Sequence, residues 1–288
     1  MKKLETKVNF FRVFNQRGFR AGNLLCEEEK MSIQFKTYSV YIDGSTLTDD
    51  IISIVSKPKG VVDYEKAVES VLDTLIKRTN GIGQILLNCL PADKQIIISP
   101  YTDLHASISG NCNAIGGDAS FLERGDGRVY FTPSIWQSGG FCFNAKANGA
   151  TDDEILLHEL LHAYQGVRGT MDKTKLFKPK KMYDTVAELF AILITNIYMS
   201  ENGKTKLRRD HNGFGELPAE WSTSEGFLKD QDFFYWVEKF WFTEPQLVGM
   251  IAASPVKFNP FRAYKDWLMG KVGALKNKQY GLNLSPQF

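Results

Sequence analysis

Residues 151–168 constrain this chain more tightly than any other stretch of it. Thr151-Asp152-Asp153-Glu154 has the form of a capping box. The threonine can accept from the helix's first free N–H groups, and the glutamate three residues on can accept from the threonine's own N–H. Ile155, Leu156, Leu157, Leu160, Leu161 and Ala163 follow and leave no broad polar face, so the spacing predicts a buried helix over about 152–165. Into that helix the sequence sets His158, Glu159 and His162. Two imidazoles and a carboxylate in an apolar helix are costly to desolvate unless something pairs with them.

Their spacing suggests what that is. His158-Glu159-Leu160-Leu161-His162 is an H-E-x-x-H pattern. Residues i and i+4 lie a turn apart on one helix face, so two imidazoles can grip one metal ion, with Zn2+ the expected one. Glu159 is rotated from His158 by about 100° around the helix axis. That places it beside the ion rather than on it, as a general base toward water. With only four histidines in the chain, a chance match is the rival explanation, and the buried, capped helix counts against it.

A catalytic zinc takes three protein ligands and keeps one open position. Gln165 and Arg168 stand where the longer pattern with a third histidine needs Gly and His, which excludes that class. Asp172, after Gly169-Thr170, comes one residue early for an aspartate-ligand pattern. Glu188, an isolated carboxylate in Val186-Ala187-Glu188-Leu189-Phe190-Ala191, fits a glutamate ligand carried on a second helix. Thr185-x-x-Glu188 also reads as a capping box, which would turn the glutamate to solvent; a helix starting at Asp184 would free it. Glu188 is the favoured ligand, with Asp184 and Asp172 as alternatives. For the donor that stabilises a developing oxyanion, His211 in Arg208-Arg209-Asp210-His211-Asn212-Gly213 is favoured over Tyr183 and Tyr198. A surface histidine without a role is the competing reading of His211, and His105 is expected to be structural.

The rest of the chain suggests an α+β domain. Residues 32–43 are β-rich and end at a Gly44-Ser45 turn; Tyr64, Val68, Val71, Leu72 and Leu75 recur at helical spacing. Ile85 to Leu90 reads as a short buried helix, and strands are predicted over 95–99 and 128–132, each closed by proline. A second long helix is predicted at 185–200 and further helices near 229–241, 244–253 and 260–270. Strands, then central helices, then more helices predict a small sheet over a helical floor, with a C-terminal helical subdomain. Arg128 to Thr132, the strand before the motif helix, is the natural edge for pairing with an extended substrate; an ordinary inner strand is the alternative. Lys173, Lys175, Lys178, Lys180 and Lys181 form a basic run that reads as a solvated loop or a site for acidic substrate.

Among 288 residues, 43% are apolar and the formal charge is +2. Such a balance suits a globular protein and lacks the clustered basic excess of a nucleic-acid binder. Cys26, Cys89, Cys112 and Cys142 form no C-x-x-C pair and are too few for a disulfide scaffold, so free buried thiols are expected, with one buried disulfide as the alternative. The basic start Met1-Lys2-Lys3 reaches no apolar h-region, and no stretch is long and apolar enough to span a bilayer. Synthesis in a cytoplasm without a signal peptide is therefore the expectation.

The segment His158-Glu159-Leu160-Leu161-His162-Ala163-Tyr164, with the later Glu188, resembles the NleD-like family of bacterial effector metallopeptidases. Glu188 through Thr195-Asn196-Ile197-Tyr198 to Leu207-Arg208-Arg209-Asp210-His211, and Phe258-Asn259-Pro260-Phe261-Arg262, look like related toxin-type metallopeptidase domains. The resemblance covers about residues 62–265, and its specific part is the H-E-x-x-H core. It implies a zincin-like fold over residues 61–288, with His158, His162 and Glu188 on zinc and Glu159 catalytic. Residues 1–60 are then an N-terminal extension, partly β, either integrated into the fold or concerned with translocation. It further implies an effector or toxin exported by a specialised secretion system, with a peptide or protein substrate and secretion machinery or a cognate immunity protein as partners. Two other functions use the same motif: an inactive zincin-fold binding protein, and a zinc amidase acting on cell-wall peptide.

Overall fold

Alternating apolar residues set the sheet. In the computed structural model, which describes residues 32–45, 61–101, 115–116, 125–140, 142–176, 180–211 and 213–279, strands β1 (Ile33–Gln34) and β2 (Val40–Ile42) form an antiparallel hairpin. The 32–43 stretch is thus two short strands, turned at Lys36 with φ 50°. Strands β3 (Ile96–Ser99), β4 (Ile115–Gly116) and β5 (Gly127–Tyr130) complete a mixed sheet of order β1-β2-β3-β5-β4. β2, β3 and β5 run parallel, with Val40 opposite Ile96 and Ile98 opposite Val129, while β4 is antiparallel to β5. Val40, Ile42, Ile96, Ile98 and Val129 are buried on one face, because period two sends every second side chain toward the helices.

The chain divides into two compact units, Met1–Lys30 and Met31–Phe288. The first lies outside the described residues. β1 and β2 belong to the second, where they join the sheet directly.

Helix α1 (Val61–Leu75) buries Tyr64, Val68, Val71, Leu72 and Leu75 along one stripe. α2 (Ile82–Asn88) follows, its first N–H donating to the Glu201 carboxylate at 3.1 Å. A four-residue helix α3 (Pro133–Trp136) precedes the motif helix α4 (Asp152–Arg168). α5 (Val186–Glu201) packs along α4. The C-terminal part is helical, with α6 (Ser224–Lys229), α7 (Gln231–Thr243), α8 (Pro245–Ile251) and α9 (Pro260–Gln279). The result is an α+β architecture with a small mixed sheet. No helix of the described residues is long and apolar enough to cross a membrane.

The sheet rests on α4 through Gly127: a Cβ there would come within 3.0 Å of Val167 and 3.4 Å of Ala163. Only a residue without a side chain lets strand and helix approach so closely.

Two expectations are corrected. β5 carries Arg128 to Tyr130 between β3 and β4, so it is an inner strand, and β4 forms the edge on that side. Among the described residues β4 pairs with Val129 and Tyr130, so this end of β5 is not a free edge for a substrate. Cys142 is disulfide-bonded, whereas Cys89 is a free, buried thiol.

Candidate metal centre

The motif helix begins where the capping box places it: the Thr151 N–H donates to the Glu154 carboxylate at 3.2 Å. It ends at Gly169, whose left-handed φ of 68° closes the last turn. His158, Glu159 and His162 are buried on its flank at 2, 8 and 7% exposure. The two imidazoles converge as the i, i+4 spacing requires, with Nε2 atoms 3.1 Å apart and rings nearly perpendicular at 82°.

α5 brings the carboxylate. Thr185 caps this helix, its hydroxyl accepting from the Glu188 N–H at 3.3 Å. The Glu188 side chain turns inward instead, with Oε2 3.1 Å from His158 Nε2 and Oε1 3.3 Å from His162 Nε2. Thr185 is thus the cap and Glu188 a member of the centre. Asp172, the more distant alternative, is committed elsewhere, its Oδ2 paired with Lys239 at 2.8 Å.

Asp184 has a different place. It sits in left-handed backbone at φ 53°, which aspartate tolerates better than most residues. Its Oδ2 lies 2.9 Å from Nδ1 of His211. The His211 N–H donates to the Met182 carbonyl at 3.0 Å, and the ring stacks on His158 with centroids 5.9 Å apart. His211 Nε2 then faces Glu188 Oε2 at 3.4 Å. Donor atoms of His158, Glu188 and His211 all fall within 4.8 Å of one another, and His162 joins the group through its closer approach to His158 and Glu188. Tyr183 and Tyr198 are placed differently. Tyr198 donates to Asp153 Oδ2 at 2.7 Å near the start of α4, and Tyr183 is buried edge-on against Phe233. His105 and Lys178 lie outside the described residues.

No family model, curated protein or solved structure matches this chain.

The donor set can be tested against a metal. Tetrahedral zinc with Zn–N bonds of about 2.0–2.1 Å needs donors about 3.3 Å apart. The His158 and His162 Nε2 atoms stand 3.1 Å apart, and Glu188 reaches His158 through Oε2 at 3.1 Å and His162 through Oε1 at 3.3 Å, so the three bring their donors close to the spacing that one small cation needs. Two imidazoles and a carboxylate also match the ligand preferences of zinc and its first-row neighbours.

Protonation agrees. Burial pushes His158 down to about 3, against the partly opposing pull of Glu188, which leaves a neutral ring with its lone pair available. Burial alone would raise the Glu188 carboxyl, but hydrogen bonds from His158 and His162 hold it well below the usual carboxylate range. Burial would lower His162, yet the hydrogen bond and charge of Glu188 and the charge of Glu159 raise it overall. In the absence of an ion, a proton on His162 stands in for part of the cation's charge. His158 Nδ1 is buried and unpartnered, so the Nε2 contacts with Glu188 and His162, together with packing, orient that ring.

Sequence reasoning did not single out Arg208. This residue is 2% exposed, and burial pushes its guanidinium down to about 10 while Glu188 and Glu159 act to raise it. A lone arginine next to Arg209 carries no local signal of burial; only the fold places it behind the centre. Two cavities of about 600 and 570 Å3 share Arg78 and Glu201 in their linings. They lie at the end of α5 opposite Glu188, about 20 Å along the helix, and play no part in the metal centre.

Proposed function

We propose that this chain is a zinc-dependent endopeptidase of zincin-like fold, with His158, His162 and Glu188 as metal ligands. The observation that carries the reading is the meeting of two motif imidazoles and one carboxylate at the donor spacing of a tetrahedral ion, with Glu159 beside them on the same helix. When bound, zinc would supply Lewis acidity that polarises a scissile carbonyl and acidifies a water.

The chain's own residues do the rest. Glu159 accepts a proton from the attacking water and returns it to the leaving amine nitrogen. His211 offers Nε2 at the open side of the centre, and Asp184 accepts from Nδ1–H. With Nδ1 held by Asp184, an Nε2–H on this ring would be aimed to donate to the oxyanion of a tetrahedral intermediate. Burial of the centre on α4 and α5 keeps bulk water from competing for these groups. The resemblance of the motif region adds that such a peptidase would serve as a bacterial effector or toxin.

The test pairs metal analysis with hydrolysis of a diverse peptide mixture. Glu159→Gln should bind zinc as the wild type does and cleave about 10³-fold more slowly. A Glu159→Gln protein that cleaved at the wild-type rate would end the mechanism. Cleavage confined to peptides containing D-residues would favour the cell-wall amidase, and zinc binding without any hydrolysis the inactive binding protein.

A further inference from the structure

The His211 imidazole stands on a short hairpin rather than on a helix. Its two arms meet where Arg208 bridges Glu216, with the Arg209 N–H donating to the Gly215 carbonyl at 2.8 Å and the Leu217 N–H to the Leu207 carbonyl at 2.7 Å. Leu207 and Leu217 anchor the two arms in the core, but the polar tip that carries His211 lies beyond them, and His211 must be held to within a fraction of an ångström to act at the centre.

Arg208 supplies the fixing contacts. Its Nε donates to the Asp210 carbonyl at 2.8 Å and its Nη2 to the His211 carbonyl. Asn196, on the same helix as Glu188, accepts from the Arg208 N–H at 2.7 Å and donates to the Arg208 carbonyl at 2.8 Å. Phe214 covers the guanidinium at 4.2 Å from its ring centre. Beneath it Gly149, at φ 76°, leaves room: a Cβ there would lie 2.8 Å from Arg208 Cδ. The remaining nitrogen, Nη1, is buried without a hydrogen-bond partner, so this arginine offers nothing that a substrate could reach.

We propose that Arg208 is a positioning residue for His211: its guanidinium forks across the Asp210 and His211 carbonyls and holds the His211 ring against Glu188. Asn196 ties this support to α5, so the helix that presents Glu188 also sets where His211 stands. A lysine cannot replace the planar fork, because a single ammonium lacks two fixed, parallel donors. The inference rests on the peptidase reading only for its kinetic consequence; the positioning itself is independent of any reaction.

The test uses zinc-loaded full-length protein labelled with 15N-histidine, in which four histidines give few signals. The His211 signals are assigned by their loss in His211→Ala. In the wild type the His211 Nδ1–H, held by Asp184, should exchange slowly enough with water to be seen. Arg208→Lys should lose that signal while zinc content and the His158 and His162 signals stay unchanged. A wild-type His211 signal in both Arg208→Lys and Arg208→Met would overturn the proposal. So would the loss of zinc from Arg208→Lys, since the arginine would then hold the whole centre; should Arg208→Met fail to fold, Arg208→Lys decides alone. In the kinetic arm, Arg208→Lys should cost about tenfold in kcat in the wild type and under about twofold in a His211→Ala background. Equal losses in both backgrounds contradict it. A zinc-loaded wild type that cleaves nothing would sink the peptidase reading and leave the spectroscopic test standing.

Discussion

The groups at the centre stand on two kinds of backbone. His158, His162 and Glu188 project from α4 and α5, long helices buried along most of their length. Their mutual spacing follows from helix geometry and from one helix–helix contact, and all three point inward. His211 stands on a hairpin whose side chain is 34% exposed, and its position depends on three separate tethers: the Met182 carbonyl, the Asp184 carboxylate and the Arg208 fork. The helical half has the rigidity that a metal site needs, since ligands must be in place before the ion arrives. The hairpin half is held instead by these few polar tethers, so a single substitution can displace His211 without disturbing the helices. On the proposed function, the helical half would hold the metal and carry the base Glu159, while the hairpin half would add only the oxyanion donor His211.

Substitutions can break that division, beginning with the largest effects. Glu159→Gln should lower turnover by about 10³-fold, within the range for a lost general base, with zinc retained; hydrolysis and elemental analysis on the same sample check both. His162→Ala and Glu188→Ala should each weaken zinc affinity by at least about 100-fold, by analogy with the 10–100-fold losses caused by removing outer-shell partners alone, as read by competition with a chelator. In the hairpin half the pattern should reverse. His211→Ala should keep zinc within about tenfold and lose about 100-fold in kcat, the scale of a missing oxyanion donor. Equal zinc losses from His211→Ala and Glu188→Ala would erase the distinction and make His211 a fourth ligand.

Acid should act on the helical half through His158. Its folded pKa, about 3, lies below the unfolded value of 6.5, so between these values the unfolded chain binds the extra proton. Stability of the metal-free protein should therefore fall as pH drops below about 6.5. The depressed Glu188 works in the same direction: its contribution is present above the ordinary carboxylate pKa and is lost as pH falls below it. His162, raised overall, has the opposite sign, and its contribution is lost as pH rises above 6.5. Thermal melts with and without zinc across pH 4–8 check this; a metal-free melting temperature that rose on acidification from pH 6.5 to pH 4 would contradict it. The smallest effect is Thr185→Ala, which should cost about 1 kcal/mol as a lost helix cap and leave zinc affinity unchanged. A matching stability loss in Glu188→Ala with zinc intact would return Glu188 to a capping role.

The two halves also differed in how far the sequence disclosed them. His158, Glu159 and His162 follow from spacing within one helix, and Glu188 stands out as a lone carboxylate in an apolar run, so local periodicity reaches all four. His211 was visible only as a histidine in a polar turn. Its partner Asp184 is brought to it by tertiary pairing that no local pattern encodes, and Arg208, three residues upstream, by a turn whose shape the residue types do not disclose. The edge-strand reading of residues 128–132 failed for a similar reason: β4 is two residues long in a Gly- and Asn-rich stretch, too short for alternation to reveal, and it covers the strand from outside. α6 was missed because six residues capped by Thr223 leave too little periodicity to detect.

The most direct test is zinc content in protein purified without chelator, measured for the wild type, His162→Ala, Glu188→Ala and His211→Ala. About one zinc per wild-type chain, lost from the first two variants and kept by His211→Ala, is the expected result for a single ion held by three ligands. A wild type that neither carries zinc nor takes it up on reconstitution would contradict it, leaving the paired histidines and Glu188 as a buried hydrogen-bonded cluster and nothing more.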